Sequence, residues 1–375
     1  MMLRMIILVF TCMYLAYLLW EHRAVGRWRR GIPHIIYVNG TRGKSTVTRL
    51  IDGGLRAGGL RVFCKTTGTL PMTIGVDGVE RPIRRWGSAN ILEQIHILRQ
   101  AYQQKAQVLV IECMALDPYL QWYSQHAMLQ ADIGVITNVR PDHAAEMGST
   151  LPQVCQALCG TIPAHGQVFT EDAAFFPQIQ AYAAAQGSRA VLTEGAGLEH
   201  MSLFPENQGL ALAVCQALGV SREAACQGMA DFVPDPFALS VHRFPQGAVF
   251  INALSVNDPV STKLALTRVV ERYGFQNRRL VLLLNNRQDR GYRTRDMLAL
   301  ARDLSPGEIW LFGGSRGFAR RALQDLSIPI RSLDKPSDAP FADLGPEDLV
   351  LAAGNIAGPG MGLMDRVRKE AVLYV

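Results

Sequence analysis

Gly40-Thr41-Arg42-Gly43-Lys44-Ser45-Thr46 has the composition of a phosphate-binding loop. It follows the apolar run 34–38 and precedes Val47, Leu50, Ile51 and Leu55 at helical spacing, so it joins a strand to a helix. Glycines there let the backbone curl until its N–H groups point at phosphate oxygens, and the helix N-terminus adds partial positive charge. Lys44 would then reach the β- and γ-phosphates, and the Ser45 hydroxyl would ligate Mg²⁺. The usual loop of this kind would require Gly at position 38; Val38 stands there, so this is a shorter variant. Glu112 closes the apolar run 107–111. Ligands of parallel sheets bind at the carboxyl ends of the strands, so its carboxylate is a candidate to hold the same metal, against a capping or exposed acid. His143 ends the segment Thr137-Asn138-Val139-Arg140-Pro141-Asp142-His143. On spacing alone it reads as a structural histidine, because hard cations prefer oxygen.

These groups need elements to hold them. Short apolar, β-branched runs at 34–38, 61–63, 107–111 and 133–137 read as strands, with helical patterns between them such as 91–102. Strands alternating with helices predict a parallel sheet covered on both faces. The alternation pauses near Pro234-Asp235-Pro236. It restarts with strands at 249–251, 280–284, 309–312 and 349–351, separated by helices at 262–272 and 295–304. The expected organisation is a transmembrane anchor (1–21), a basic linker (22–33), an ATP-binding domain (34–240) and a smaller Rossmann-like C-terminal α/β domain (241–375). Seven cysteines without a Cys-x-x-Cys pair read as reduced thiols.

The net charge of +6 would suit a nucleic-acid partner, but its location argues otherwise. Residues 1–30 hold five Arg and one Glu, and so carry most of it. The expectation is no nucleic acid. Residues 5–20 contain no charge, and with Met1–Arg4 the stretch is long enough to cross a bilayer as a helix. Tyr14, Tyr17 and Trp20 suit a membrane interface, and Arg23, Arg27, Arg29 and Arg30 follow. Excess positive charge after the apolar segment predicts a retained single-pass anchor in the cytoplasmic (inner) membrane, with the rest of the chain in the cytoplasm.

The loop, Glu112 and the Asn138–His143 segment occur in the order seen in Mur ligases, and the chain resembles that superfamily of ATP-dependent amide-forming ligases. Further segments are similar to the ligase subunit of capsule-type poly-γ-glutamate synthases (the PgsB/CapB type). They are Lys65-Thr66-Thr67-Gly68-Thr69, Glu112-Cys113-Met114-Ala115, Phe204-Pro205-Glu206-Asn207, Asn257-Asp258, Asn286-Arg287-Gln288-Asp289-Arg290 and Gly354-Asn355-Ile356. The resemblance covers nearly the whole chain and implies a P-loop Mur-ligase-like fold. Two features depart from it. No Lys lies between Lys105 and Lys263 to serve as a carbamylated metal ligand. Because the loop follows the apolar segment so closely, the domain by which muropeptide ligases hold their UDP-sugar substrate is expected to be missing.

The resemblance implies ATP and Mg²⁺ as cofactors, and glutamate and poly-γ-glutamate as substrate and product. It also implies other membrane subunits of a polymer synthase and export complex; a homo-oligomer is expected. The implied reaction activates a carboxylate as an acyl phosphate, which the amine of glutamate then attacks. Gly40, Thr41, Arg42, Gly43, Lys44, Ser45 and Thr46 would cradle the nucleotide. Lys44, Glu112, His143 and Arg287 would be catalytic, and Ser45, Glu112 and His143 would ligate the metal. Asn207 would lie near the adenine, or else cap a helix. Arg287 would meet phosphate or the acidic chain and Asp289 the ribose or a metal-bound water, unless with Arg290 they form an exposed ion-pair cluster. Lys65, Thr66, Thr67 and Arg290 are candidates for the substrate, with Arg84 and Arg85 weaker ones. The rival expectation is a membrane-anchored regulatory ATPase that makes no amide bond.

Overall fold

The structure, a computed structural model, describes residues 2–85, 87–195, 197–198, 202–256, 258–288 and 291–374. It divides into two units, Met1–Pro234 and Asp235–Val375. The first opens with α1 (Met2–Arg30), β1 (His34–Asn39), α2 (Lys44–Ala57), β2 (Val62–Thr66), β3 (Met72–Ile74), β4 (Glu80–Pro82), α3 (Glu93–Gln103) and β5 (Val108–Glu112). Next come α4 (Pro118–Tyr123), a π-helical turn (Ser124–Leu129), β6 (Ile133–Ile136), α5 (Ala144–Met147), α6 (Leu151–Cys159) and β7 (Gln167–Thr170). The unit ends with α7 (Phe176–Ala185), β8 (Arg189–Leu192), α8 (Pro205–Ala217) and α9 (Arg222–Ala230).

Among the described residues the sheet has the order β4-β3-β2-β5-β1-β6-β7-β8. It is parallel from β2 to β8, with β3 and β4 added antiparallel at one edge. β1 is central, and its side chains show why a continuous apolar run marked it. Ile36 and Val38 pack with Val47, Leu50 and Ile51 of α2 and with Leu210 and Val214 of α8. Ile35 and Tyr37 point the other way, into a core with Ile97 and Leu98 of α3 and Leu129. A strand buried on both faces cannot alternate with polar residues. Register then sets the site: Val38 pairs with Glu112 and Asn39 with Ile136, so the loop after β1 lies between the ends of β5 and β6.

The segment expected as a basic linker is largely helical. α1 runs unbroken through Arg30, because Val25 and Trp28 give the basic stretch an apolar side that packs into the α3 core. Ala24 is buried, and Arg29 donates to Asp132 Oδ1 (2.7 Å), Gln130 O (2.8 Å) and Ile32 O (3.1 Å).

The second unit contains β9 (Ser240–Arg243), β10 (Val249–Asn252), α10 (Pro259–Tyr273), β11 (Arg279–Asn286), α11 (Gly291–Leu304) and β12 (Glu308–Gly313). It continues with α12 (Arg316–Ala322), β13 (Ile330–Ser332), β14 (Asp348–Gly354), α13 (Pro359–Glu370) and β15 (Val372–Leu373). Its sheet order is β13-β12-β11-β14-β10-β9-β15, parallel from β13 to β10 and antiparallel at β9 and β15. Phe341 anchors the core, with ring centroids 4.8 Å from Phe244 and 5.8 Å from Phe250. The division falls at 234/235, earlier than the expected 240/241: β9 pairs with β10, so the residues leading into it go with the second sheet.

Candidate active site

The loop after β1 adopts the conformation its glycines permit. Gly43 has φ 81° and caps α2, and Gly40 has φ 129°. At Gly40 a Cβ would stand 2.0 Å from Thr137 Oγ1, so the close approach of two backbones as well as the dihedral requires glycine. The segment after β6 braces the loop. Thr41 N–H donates to Asn138 O (3.1 Å), Thr41 Oγ1 to Asn138 Oδ1 (2.8 Å) and Arg42 N–H to the same Oδ1 (3.0 Å). Thr137 Oγ1 and Asn138 Nδ2 donate to Arg42 O (2.6 and 3.1 Å). Lys44 Nζ, half-buried, donates to Gly40 O across the loop (2.7 Å). Thr46 is half-buried in the first turn of α2. The bracing by Thr137 and Asn138 is a function that reading along the chain missed, since its partners lie about a hundred positions away.

Glu112 is buried at the end of β5. Its Oε2 accepts from Ser45 Oγ (2.9 Å) and from Thr67 N–H (2.6 Å). Three segments expected to act together therefore converge on one carboxylate oxygen. Hydroxyl and carboxylate oxygens are the donors a hard divalent cation takes, so Ser45 and Glu112 fit Mg²⁺. Among the described residues no three His, Cys, Asp or Glu side chains come together as a metal-holding group. His143 sits in the left-handed region at the start of α5 (φ 45°), with Nε2 3.8 Å from Asp142 Oδ2 and Nδ1 3.8 Å from Glu146 Oε2. Asp142 also pairs with Arg42 (2.8 Å), tying the loop to the His143 segment.

Lys65 is fully buried, unlike the open cation expected to meet substrate. Its Nζ pairs with Glu93 Oε1 (3.1 Å) and lies 3.4 Å from Gln94 Oε1. Burial lowers its pKa against the pull of Glu93 and Glu112. Thr66 is also buried, whereas Thr67 is half-buried and engaged through its backbone. Arg85 pairs with the other side of Glu93 (2.7 Å).

Asn207 lies in the first turn of α8, where a Cβ on Gly43 would be 3.0 Å from its Oδ1. It thus reaches the loop itself, and Phe204 is the residue that caps the helix, without a side-chain bond. Nearby chemistry went unnoticed in the sequence: Glu171, after β7, has its carboxyl pushed up to about 7 by burial, with the charges of Glu206 and Asp172 adding.

In the second unit Arg287 follows β11, half-buried, at the carboxyl edge of the sheet. Asn285, Asn286 and Arg287 line a small cleft there with Gly354 and Asn355. Asn285 Nδ2 donates to Asn355 O and to Ala357 O (3.0 Å). The Asn286-Arg287 and Gly354-Asn355 segments, distant in sequence, thus meet at one sheet edge. Asp289, Arg290 and Asn257 lie outside the described residues.

Comparison with known proteins connects these features. Residues 38–208 match the Mur ligase middle domain, and residues 240–370 match the poly-gamma-glutamate synthase CapB C-terminal domain. The chain is 32% identical to the capsule biosynthesis protein CapB of Bacillus anthracis, over 98% of this chain and 83% of that protein. It is also 32% identical to the PGA synthase CapB of Bacillus subtilis (strain 168), over 91% of this chain and 92% of that one. Among solved structures it is similar in fold to E. coli FolC in complex with ADP, with TM-score 0.69, 18% identity and coverage of 96% of this chain and 98% of that one. The Yersinia pestis bifunctional folylpolyglutamate synthase/dihydrofolate synthase complexed with AMPPNP and Mn gives TM-score 0.68 at 17% identity, covering 95% of this chain and 98% of that one. A likeness at that identity speaks for the fold, while the near-complete match to the two curated relatives speaks for the family. The chain belongs to the CapB family of poly-γ-glutamate synthases, on the Mur ligase fold, and is an ATP-dependent amino-acid ligase.

Proposed function

We propose that this ligase adds glutamate to a growing poly-γ-glutamate chain through an acyl phosphate, giving ADP and phosphate, for a capsule or secreted polymer. A carboxylate oxygen attacks the γ-phosphorus of ATP and the bond to ADP breaks. The amine of the second substrate then attacks the acyl carbon, a C–N bond forms, and phosphate leaves carrying the carboxylate oxygen while the amine gives up a proton. Such chemistry depends on positioning and charge neutralisation more than on covalent work by the protein.

The observation that most supports this reading is the Ser45–Glu112 hydrogen bond beside Lys44. The loop's N–H groups and Lys44 are suited to hold the β- and γ-phosphates in line, once Lys44 exchanges Gly40 O for phosphate oxygen. Ser45 and Glu112 would hold Mg²⁺, which when bound supplies neutralisation of phosphate charge; His143 is assigned to the same metal. Asn207 is assigned to the nucleotide, and Arg287 and Asp289 to its phosphate and ribose. Thr67 and Arg290 are assigned to the substrate. We assign Lys65 the positioning of the Glu93–Glu112 region, because a fully buried ammonium paired with Glu93 has no open face for a substrate carboxylate. With α1 in the membrane, the catalytic units face the cytoplasm beside other membrane subunits.

The test is turnover by the full chain in membranes supplied with ATP, Mg²⁺ and glutamate whose carboxylates carry ¹⁸O. The expected result is γ-linked polymer with one ¹⁸O per released phosphate, both lost in Lys44→Ala. Phosphate release without glutamate dependence would favour a regulatory ATPase, and unlabelled phosphate would remove the acyl phosphate.

A further inference from the structure

The face of the first unit that carries α1 also carries exposed apolar side chains. In α4 and the residues before it, Leu116, Tyr119, Leu120, Trp122 and Tyr123 are 37–65% exposed. Tyr119 and Trp122 stack on each other at 6.2 Å, so their rings form one surface. Leu92, just before α3, is 49% exposed. The buried side of α4 is fixed to the site: Gln121 Oε1 accepts from Asn39 Nδ2, at the end of β1 (2.7 Å). The exposed rings therefore flank the carboxyl edge of the sheet.

The direction of α1 says what lies next to them. Gly31 abuts the Tyr102 ring, and Arg99 lies over the Trp28 ring at 5.8 Å, so α1 runs in the same sense as α3. Arg29 is bonded to Gln130 and Asp132, which precede β6 at the amino edge. Followed backward, α1 thus climbs from the amino edge toward the carboxyl edge. At 1.5 Å per residue, Ala24 lies about 10 Å above Gly31, and Trp20 about 6 Å further. The same rise puts Glu93 about 14 Å above Tyr102. Trp20, the last residue of the uncharged segment, is therefore level with the start of α3, where Leu92 is exposed. The segment 2–19 continues beyond it, wholly exposed.

We propose that the α4 face and Leu92 rest in the lipid interface, as a second membrane contact that seats the ligase unit against the bilayer beside α1. The inference rests on reading α1 as a membrane anchor. Aromatic rings with aliphatic neighbours match the headgroup–acyl boundary, which takes such faces to a depth of roughly 5–10 Å. Exposed Arg23 and Arg27, about 5 and 10 Å from Trp20 along α1 on the side of the folded unit, meet anionic headgroups just outside that boundary. Two contacts fix the tilt of the unit, so the edge bearing the phosphate loop is held at a set height over the membrane.

The experiment uses the full chain in nanodiscs of phosphatidylcholine and phosphatidylglycerol, with Cys12 and Cys226 replaced by serine. An environment-sensitive label is placed in turn at Tyr119→Cys, Leu120→Cys, Leu15→Cys in α1 and Gln103→Cys at the amino edge. Lipid carrying a shallow doxyl quencher is expected to dim the first three by about two-fold or more and to spare the fourth. A quenched Leu15 label with unquenched α4 labels overturns the lipid contact while leaving the anchor standing. α4 labels that are immobile yet unquenched also overturn it, and assign the face to a protein partner. An unquenched Leu15 label removes the anchor itself.

Discussion

Replacing Glu93 by Met should destabilise the first unit more than replacing its partner Lys65 by Met. The asymmetry comes from what each variant leaves behind. Without Glu93, the Lys65 ammonium stays fully buried with Gln94 Oε1 at 3.4 Å and Met114 Sδ at 3.6 Å as its nearest polar contacts. Without Lys65, Glu93 keeps Arg85 on both oxygens, at 2.7 and 3.0 Å, and is partly open to water. Orphaning a buried charge costs about 3–5 kcal/mol, whereas Lys65→Met should cost about 1–2 kcal/mol. For a unit of this size each kcal/mol moves Tm by about 2–4 °C, so the expected losses are roughly 6–20 °C for Glu93→Met and roughly 2–8 °C for Lys65→Met. The double variant, with neither charge, should lie within about 1 kcal/mol of the parent. There is a second signature. Burial already lowers the Lys65 pKa, and loss of Glu93 lowers it further. A folded-state pKa below the unfolded one means that unfolding takes up protons, so the Glu93→Met deficit shrinks as pH rises toward 10. The assay is thermal unfolding of the full chain in detergent between pH 7 and 10, with glutamate KM measured alongside. Equal losses for Lys65→Met and Glu93→Met would refute the orphaned buried ammonium as the cause of the asymmetry. If Lys65→Met left Tm unchanged and raised only KM, Lys65 would be a substrate ligand instead.

Gly40→Ala places a Cβ 2.0 Å from Thr137 Oγ1 at φ 129°, and should cost about 2 kcal/mol or more, with ATP binding weakened at least about ten-fold. Gly59→Ala, at φ 81° with open space around it, should cost only about 1 kcal/mol; equal urea midpoints for the two would contradict the close approach. The Glu171 carboxyl, raised to about 7, stabilises the fold most below its unfolded pKa, and that contribution is lost as pH rises through 7. Glu171→Gln should therefore flatten the pH dependence of Tm between pH 5 and 8, removing at most about 3 kcal/mol of variation. Arg29→Met removes the bonds to Asp132, Gln130 and Ile32 and should speed amide exchange at 24–32, where α1 packs on the unit, by about ten-fold, read by mass spectrometry.

Local chemistry was enough to mark the parts. Glycines at 40 and 43, a Lys-Ser pair at a strand-to-helix junction, and acids or amides ending buried strands all follow from short-range rules, so the loop, Glu112 and the principal parallel strands were legible. So was the apolar N-terminal helix. Short or half-exposed strands such as β3, β4 and β13 were not, because three residues carry too little periodicity to stand out. Pairing register was needed to put Glu112 beside Val38 and within reach of Ser45 and Thr67. Asn138 as the brace of the loop, Asn207 against Gly43 and Glu93 as the partner of Lys65 likewise depend on contacts between segments far apart in the chain. Lys65 shows the limit best. By itself the sequence determined a basic residue next to a Thr-Thr-Gly turn, which suits a carboxylate substrate as well as a buried ion pair. Only the tertiary structure, by covering that ammonium completely and setting Glu93 3.1 Å away, decided which electrostatic environment it occupies.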